Sequence, residues 1–242
     1  MQSGMDKYDM IRKDCFRMPW EKRTEESGTT WYEKVLYDDP DTGLNIRLVK
    51  IPAGTDAVCR VNSCGQGLFV LTGTLQTYEG AYGTGNFLWF PKGETAAHGA
   101  GPEDDLTAVM ICDGPLSSEK CERPAAPEGL ICRDAKNLLW IRKEDPVTGH
   151  ITYSKSLYYN RATGLWIKLS KYPAGTVTPM HTHHCGHGMF LLSGMCHTHQ
   201  GTYEPGNFLW YPEGNAAEHG AAPDDDLINL FIIDKPFDIT FQ

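Results

Sequence analysis

The feature that most constrains the fold of this 242-residue chain is an internal repeat at a spacing of 121 residues. The segment 50–55 (KIPAGT) returns as 171–176 (KYPAGT), and 85–91 (GNFLWFP) returns as 206–212 (GNFLWYP). The same spacing carries His98 onto His219 without a gap. A duplicated unit of about 110 residues is too long for one element of a solenoid, so each copy is expected to be a domain.

The repeat predicts a first domain over residues 8–116 and a second over 130–242, separated by a linker at 117–129. The linker segment is rich in Ser, Glu, Pro and Ala, which is typical of a surface connection. Within each copy, short apolar runs rich in β-branched and aromatic residues are bounded by Gly, Pro, Asn or Asp. These predicted strands are 44–51, 68–71, 87–90 and 106–112, repeated at 165–172, 189–192, 208–211 and 227–233. The pattern predicts an all-β protein with a barrel or jelly roll in each copy.

Composition and charge exclude several classes of partner. The formal net charge is -9 and no basic cluster interrupts it, which argues against binding to nucleic acid. No apolar run approaches the ~20 residues needed to cross a bilayer, and the N-terminus lacks the apolar core of a secretory signal. We therefore expect a cytoplasmic protein whose eight cysteines are reduced thiols.

Seven of the nine histidines lie between positions 181 and 219. His181 and His183 are two residues apart, so on a strand they project from the same face. His187 keeps the even spacing, and His219 must be brought in from a later strand. Neutral imidazoles that converge from two strands suit a divalent transition metal such as iron, zinc, nickel or copper, whereas a hard cation requires carboxylates.

These residues resemble a known family. The segment 175–194 (GTVTPMHTHHCGHGMFLLSG) resembles the first cupin motif, with His187 at the usual glutamate position. The segment 206–220 (GNFLWYPEGNAAEHG) resembles the second motif. It has four residues between Gly214 and His219 where two are common, and Pro223 replaces the trailing asparagine. The phrase WYPEG followed by EHG is most similar to the ChrR-type cupins.

The resemblance implies two tandem double-stranded β-helix (jelly-roll) barrels, with a metal inside the mouth of the second. Three histidines and a glutamate are the usual ligands in cupins. With a histidine at the fourth position, two coordination sets are open. In the first, the metal is bound by all four histidines, His181, His183, His187 and His219. In the second, three of them bind it, and His187 supports those three or contacts the substrate.

The first copy has different residues at the four ligand positions. At the spacing of 121, His181, His183 and His187 become Arg60, Asn62 and Gln66, and His98 alone is retained. Because arginine is always protonated in proteins and cannot bind a cation, the first barrel is predicted to be metal-free. One divalent metal per chain is therefore expected. A structural role is favoured for Arg60, with the binding of an anion as the alternative.

The neighbours of the cluster are assigned lesser roles. His184 has the wrong strand parity and is expected to point away, and Cys185 is expected to be a buried thiol. His197 and His199 are expected at the surface or in a pocket lining. Trp89 and Trp210 occupy the same position in the two copies and are expected in the core. No catalytic residue beyond the metal ligands is assigned.

ChrR-type cupins include dioxygenases that cleave the C–C bond of small diketones and hydroxyaryl ketones, and the sensor half of an anti-sigma factor. The resemblance therefore implies an Fe(II) dioxygenase with a small-molecule substrate. Zinc, nickel or manganese stay open as the metal. The alternatives are a non-redox isomerase or lyase, and a non-enzymatic sensor of a small molecule or metal. Association into a homodimer through exposed strand edges is left open.

Overall fold

The computed structural model describes residues 9–24, 28–121 and 127–242, and every regular element in these ranges is a β-strand. The all-β prediction is confirmed. The described residues contain no helix with the length and apolarity that crossing a bilayer requires. The chain divides into two compact units. The first-repeat unit is Met18–Leu138, and the second-repeat unit joins the described residues up to Arg17 with Leu139–Gln242.

Among the described residues, twelve strands precede the second repeat, and most are short runs that end at glycine or proline turns. They are β1 Ile11–Asp14, β2 Glu21–Thr24, β3 Thr30–Asp38, β4 Asn45–Ile51, β5 Val58–Asn62, β6 Gln66–Thr72, β7 Leu75–Gln76, β8 Ala81–Tyr82, β9 Asn86–Phe90, β10 Thr95–Ala100, β11 Leu106–Cys112 and β12 Ser118–Lys120.

The second repeat forms twelve further strands in the same order. They are β13 Ile131–Asp134, β14 Ile141–Glu144, β15 Ile151–Tyr159, β16 Trp166–Tyr172, β17 Val177–His183, β18 His187–Ser193, β19 Cys196–Thr198, β20 Gly201–Tyr203, β21 Asn207–Tyr211, β22 Ala216–Ala221, β23 Leu227–Ile233 and β24 Ile239–Phe241. All eight predicted apolar runs fall within or overlap these strands, because each run is bounded by residues that favour turns.

Each unit contains one seven-stranded and one five-stranded antiparallel sheet. In the second-repeat unit the orders are β1-β21-β18-β23-β16-β15-β14 and β20-β19-β22-β17-β24. In the first-repeat unit they are β13-β9-β6-β11-β4-β3-β2 and β12-β5-β10-β7-β8. The two units therefore repeat the same jelly-roll arrangement. Trp89 and Trp210 are 2% and 1% exposed, as expected for core residues.

The first strand of each repeat belongs to the sheet of the other repeat. β1 pairs with β21, with Ile11 opposite Trp210, and β13 pairs with β9, with Ile131 opposite Trp89. The two compact units thus differ from the predicted domains 8–116 and 130–242, because each of these two short segments belongs to the unit of the other repeat. The physical reason is that the two segments, 11–14 (IRKD) and 131–134 (ICRD), have nearly the same sequence. Their partner strands, β21 and β9, are also nearly identical in sequence, so each segment fits either strand.

The predicted linker, 117–129, contains a strand. β12 pairs with β5 in the five-stranded sheet, with Lys120 opposite Arg60. This pairing brings Cys121 beside Cys59, and the two form a disulfide with a Cα–Cα distance of 5.4 Å. The expectation that all eight cysteines are reduced is therefore wrong for this pair. The remaining part of the linker at 122–126 lies outside the described residues.

Candidate metal centre

The four predicted ligands of the second repeat come from three strands. β17 carries His181 and His183 on one face, β18 begins at His187, and β22 carries His219. β17 and β22 are neighbours in the five-stranded sheet, and Thr178 lies opposite His219. β18 belongs to the seven-stranded sheet, so His187 approaches the cluster from the other sheet of the same unit. A turn of three residues, 184–186, connects β17 to β18 and allows this change of sheet.

Three of the four histidines form a compact group of nitrogen atoms. One ring nitrogen from each of His181, His183 and His219 lies within 4.8 Å of the others, and all three rings are buried. The Nε2 atoms of His181 and His183 are 2.7 Å apart. Among the described residues, no cysteine, aspartate or glutamate belongs to this group. The donor set is therefore all imidazole, as a borderline transition metal prefers.

Several of these nitrogens are buried without a hydrogen-bonding partner. They are Nδ1 of His183 and both ring nitrogens of His187 and His219. A buried polar atom that makes no hydrogen bond costs roughly 1–3 kcal/mol, so five such atoms in one place indicate a missing partner. A neutral imidazole has one lone-pair nitrogen, so each of these three rings can offer one nitrogen to a metal ion, and the residues present fit such an ion.

One hydrogen bond orients the cluster. Nδ1 of His181 lies 2.7 Å from the backbone carbonyl oxygen of Pro179, and an N–H at Nδ1 donates to this oxygen. With the proton on Nδ1, Nε2 of His181 turns an unprotonated lone pair toward the other rings. A metal-binding histidine commonly fixes its ring in this way.

Burial keeps the histidines neutral. Removal from water lowers the pKa of His219 to about 3, with a further contribution from the charge of His181. Burial is also the largest cause that lowers the pKa of His181, and it lowers those of His183 and His187 far more. Neighbouring rings add to the effect at His183 and His187, because two imidazolium ions at this distance repel each other. At neutral pH the rings are therefore in the form that binds a metal.

His187 contacts the cluster but is not one of the three grouped histidines. Its ring centroid is 3.8 Å from that of His183 and 5.7 Å from that of His219. Two rings hold it nearly parallel at interplanar angles of 9°: Tyr211 at 4.9 Å and Phe231 at 5.2 Å. The ring is thus fixed beside the compact group, and its role as a ligand stays a prediction.

The neighbours of the cluster lie outside the compact group of three histidines. His184 is exposed, with Nε2 2.9 Å from Oγ1 of Thr240, and Cys185 is fully buried with its pKa raised to about 11 by burial. His197 is half-buried beside Thr202, and His199 is exposed. None of these four residues belongs to the group of His181, His183 and His219.

The cluster opens into a cavity of about 110 Å³ in the second-repeat unit. Its lining includes His181, His183 and His219, together with Lys168, Tyr172 and Phe237. The volume is sufficient for a few non-hydrogen atoms, since a cavity of about 150 Å³ holds benzene. A molecule that enters this cavity, or the part of it that enters, is therefore small.

Lys168 is the residue of this cavity that sequence analysis missed. Its Nζ lies 4.2 Å from the ring centroid of Trp166, 5.0 Å from Phe231 and 5.3 Å from Phe237. Burial, and after it the charge of Lys143, lower its pKa to about 8. The internal repeat contained a signal for a cation at this position, because Lys168 aligns with Arg47. Arg47 pairs with Asp38 at 2.6 Å, and the second repeat has Tyr159 at the position of that aspartate.

A family comparison agrees with this geometry. Residues 131–237 match the family model of the ChrR cupin-like domain. The second repeat is therefore similar to this family. The matched segment contains all four predicted ligands and Lys168 of the cavity wall. No curated protein matches the chain in sequence.

Solved structures support the same fold. A candidate dioxygenase from Nostoc punctiforme has a TM-score of 0.83 at 14% identity, over 95% of this chain and 84% of that chain. A deletion mutant of the Bacillus subtilis oxalate decarboxylase OxdC has a TM-score of 0.64 at 12% identity, over 96% of this chain and 79% of that chain. At these identities the similarity shows the fold alone.

Proposed function

We propose that this protein is a metal-dependent cupin oxygenase that uses Fe(II) and O2 to cleave a small diketone or hydroxy ketone. The observation that carries the proposal is the group of three neutral, buried histidines at the base of a small cavity. A bound Fe(II) ion would supply a site for substrate oxygens and for electron transfer to O2. The description of the Nostoc punctiforme neighbour as a candidate dioxygenase is compatible with this proposal.

In this proposal His181, His183 and His219 hold the metal, and His187 is the fourth ligand. The short distance between the rings of His183 and His187 supports this assignment, as do the two unpartnered nitrogens of His187. The stacked rings of Tyr211 and Phe231 restrict His187 to one orientation, which reduces the conformational entropy lost when a metal is bound.

Lys168 is proposed to bind the anionic form of the substrate. A diketone or hydroxy ketone loses a proton to give an enolate, whose oxygen carries negative charge. The cavity places the ammonium of Lys168 among aromatic rings and on the same surface as the three histidines. In this low-dielectric environment, a charge-assisted hydrogen bond to the enolate oxygen contributes about 1.5–3 kcal/mol. The rings of Trp166, Phe231 and Phe237 also limit the access of water.

Oxygen consumption by Fe(II)-loaded protein tests the proposal. We expect O2 uptake with acetylacetone or a hydroxy ketone, and Lys168→Met should raise KM by about tenfold or more while the metal content is unchanged. Lys235→Met is the matched control, since it removes an exposed cation of the same unit that pairs with Glu213. Turnover that continues without O2 would identify a non-redox lyase or isomerase instead. No turnover under either condition would refute the enzyme.

A further inference from the structure

The first-repeat unit contains a cavity of about 170 Å³, in the place that the histidine group occupies in the second repeat. Its lining includes the four residues that align with the predicted metal ligands at the spacing of 121: Arg60, Asn62, Gln66 and His98. Three of these four side chains differ from the histidines of the second repeat. The first repeat therefore has a cavity at the same place with a different lining.

His98 brings an unused hydrogen-bonding atom to this lining. Its ring packs against Phe90 at a centroid distance of 4.9 Å, and its Nε2 is buried without a hydrogen-bonding partner. Burial, and after it the charge of Arg60, lower the pKa of His98 to about 4, so the ring is neutral at neutral pH. A neutral imidazole carries its proton on either nitrogen, so Nε2 can donate or accept one hydrogen bond. This nitrogen indicates a partner that the described residues do not supply.

Gln66 offers a second donor, whose acceptors in the structure are weak. Its Oε1 accepts a hydrogen bond from Nδ2 of Asn62 at 3.0 Å, which fixes the orientation of the amide. Its Nε2 donates to Sδ of Met110 at 3.1 Å, and the same amide forms a hydrogen bond with the thiol of Cys112. Sulfur is a weaker acceptor than oxygen. Because Met110 also lines the cavity, an oxygen atom that enters there offers the Gln66 amide a better acceptor.

His98 and Gln66 occupy positions that lie close together in the second repeat. At the spacing of 121 they align with His219 and His187, whose ring centroids are 5.7 Å apart. β10 carries His98 and β6 begins at Gln66, and these strands have the same places in their sheets as β22 and β18. The two side chains therefore reach the cavity from different sheets of the same unit, and one oxygen atom between them can pair with both.

The charged side chains of the lining already have interaction partners. Among the described residues that line the cavity, the charged ones are Glu33 and Arg60. Nε of Arg23 donates to Oε1 of Glu33 at 2.8 Å, and Arg23 also pairs with Glu21 at 2.9 Å. Arg60 has an interaction partner as well. Because an unbalanced charge is costly to remove from water, the cavity favours a neutral ligand over an ion.

The cavity also has an apolar wall, which includes Val49, Ile51, Val58 and Leu116. Its volume slightly exceeds the ~150 Å³ of a cavity that holds benzene, so a benzene ring with one small substituent fits. A hydroxyl is the substituent that matches the polar side of the lining, since it both donates and accepts and therefore suits either proton position of the His98 ring. A phenolic hydroxyl has a pKa of about 10, so such a ligand is uncharged at neutral pH.

We propose that the first-repeat unit binds a small neutral phenol, with its ring against the apolar wall and its hydroxyl between His98 and Gln66. The hydroxyl oxygen accepts a hydrogen bond from Nε2 of Gln66, and the hydroxyl forms a second hydrogen bond with Nε2 of His98. This site is separate from the histidine group and does not depend on the proposed oxygenase activity. It gives the first repeat a function as a ligand-binding module within the same chain.

Binding of phenol to the full-length protein, measured by calorimetry, tests this site. We expect phenol to bind, and toluene and benzoate to bind at least about fivefold more weakly. Toluene replaces the hydroxyl with a methyl group, and benzoate brings an unbalanced charge into the cavity. His98→Leu should weaken phenol binding by about fivefold or more and leave toluene binding within about twofold. The matched control is His219→Leu, the same change at the aligned position of the second repeat, which should leave phenol binding within about twofold.

A second readout remains valid if His98→Leu fails to fold. In wild-type protein labelled with ¹⁵N-histidine, phenol should shift the ring signals of His98, which are assigned with His98→Gln. The proposal is overturned if phenol does not bind the wild-type protein, if toluene or benzoate binds as tightly, or if the His98 signals do not move. It is equally overturned if His219→Leu abolishes phenol binding while His98→Leu retains it, because phenol would then occupy the cavity of the histidine group.

Discussion

Acidification should destabilise the metal-free protein through its buried histidines, and His98 allows the effect to be isolated. Burial and the charge of Arg60 lower its pKa from 6.5 to about 4 in the folded chain. Below pH 6.5 the unfolded chain binds a proton that the folded chain does not, so the free energy of unfolding falls as the pH falls. This loss begins near pH 6.5 and is complete below pH 4.

The magnitude follows from the two pKa values. One pKa unit corresponds to about 1.36 kcal/mol, so the full difference is about 3.4 kcal/mol. Between pH 7.5 and pH 5 the expected loss from His98 alone is about 2 kcal/mol. His98→Gln removes the titrating ring, so this variant should lose about 2 kcal/mol less than wild type over that interval.

The assay is urea unfolding at pH 7.5 and pH 5 of protein from which a chelator has removed any metal. Unfolding is monitored by circular dichroism. The quantity compared is the change in the free energy of unfolding between the two pH values, because His98→Gln also alters stability at neutral pH. His184→Gln serves as the control, since His184 is exposed. If wild type and His98→Gln lose the same stability on acidification, the burial argument for this ring is refuted.

Two further predictions concern the fold. Gly186→Ala should destabilise the second-repeat unit by about 1–3 kcal/mol in urea unfolding, because a Cβ at this position would lie 2.5 Å from Oδ2 of Asp234. Gly83→Ala, where nothing lies within 4 Å, should change stability by less than about 1 kcal/mol, and equal effects of the two variants would contradict the packing argument. Cys59→Ser should lower the free energy of unfolding by about 4 kcal/mol, since the bond to Cys121 closes a loop with a sequence separation of 62. A reducing agent should lower the urea midpoint of wild type and not that of Cys59→Ser, and a wild type insensitive to reductant would contradict the role of the disulfide.

The strands and the histidine group were predictable because their signals are local. A strand alternates sides every residue, so the even spacing of His181 and His183 directs both rings to one face. The glycine and proline turns that end each run are also short-range signals. His219 could be added because the second motif of the resemblance contains a histidine on a later strand.

Features that depend on pairing between distant segments were not predictable. The tetrapeptides 11–14 and 131–134 are too similar to reveal which sheet each joins, and only the pairing with β21 or β9 decides it. The disulfide of Cys59 arises because β12 pairs with β5 within a segment whose composition indicates a linker. Lys168 reaches the cavity of the histidine group through the packing of β16 in the seven-stranded sheet, and its only signal in the sequence is its alignment with Arg47 of the first repeat.

The metal content of the full-length protein tests the central claim most directly. Elemental mass spectrometry should find one transition metal per chain in wild type and in His184→Ala. It should find almost none in His219→Ala, and His187→Ala should bind the metal more weakly. Metal retained at full occupancy in His219→Ala, or absent from wild type even after reconstitution with Fe(II), would contradict a metal centre built on these histidines.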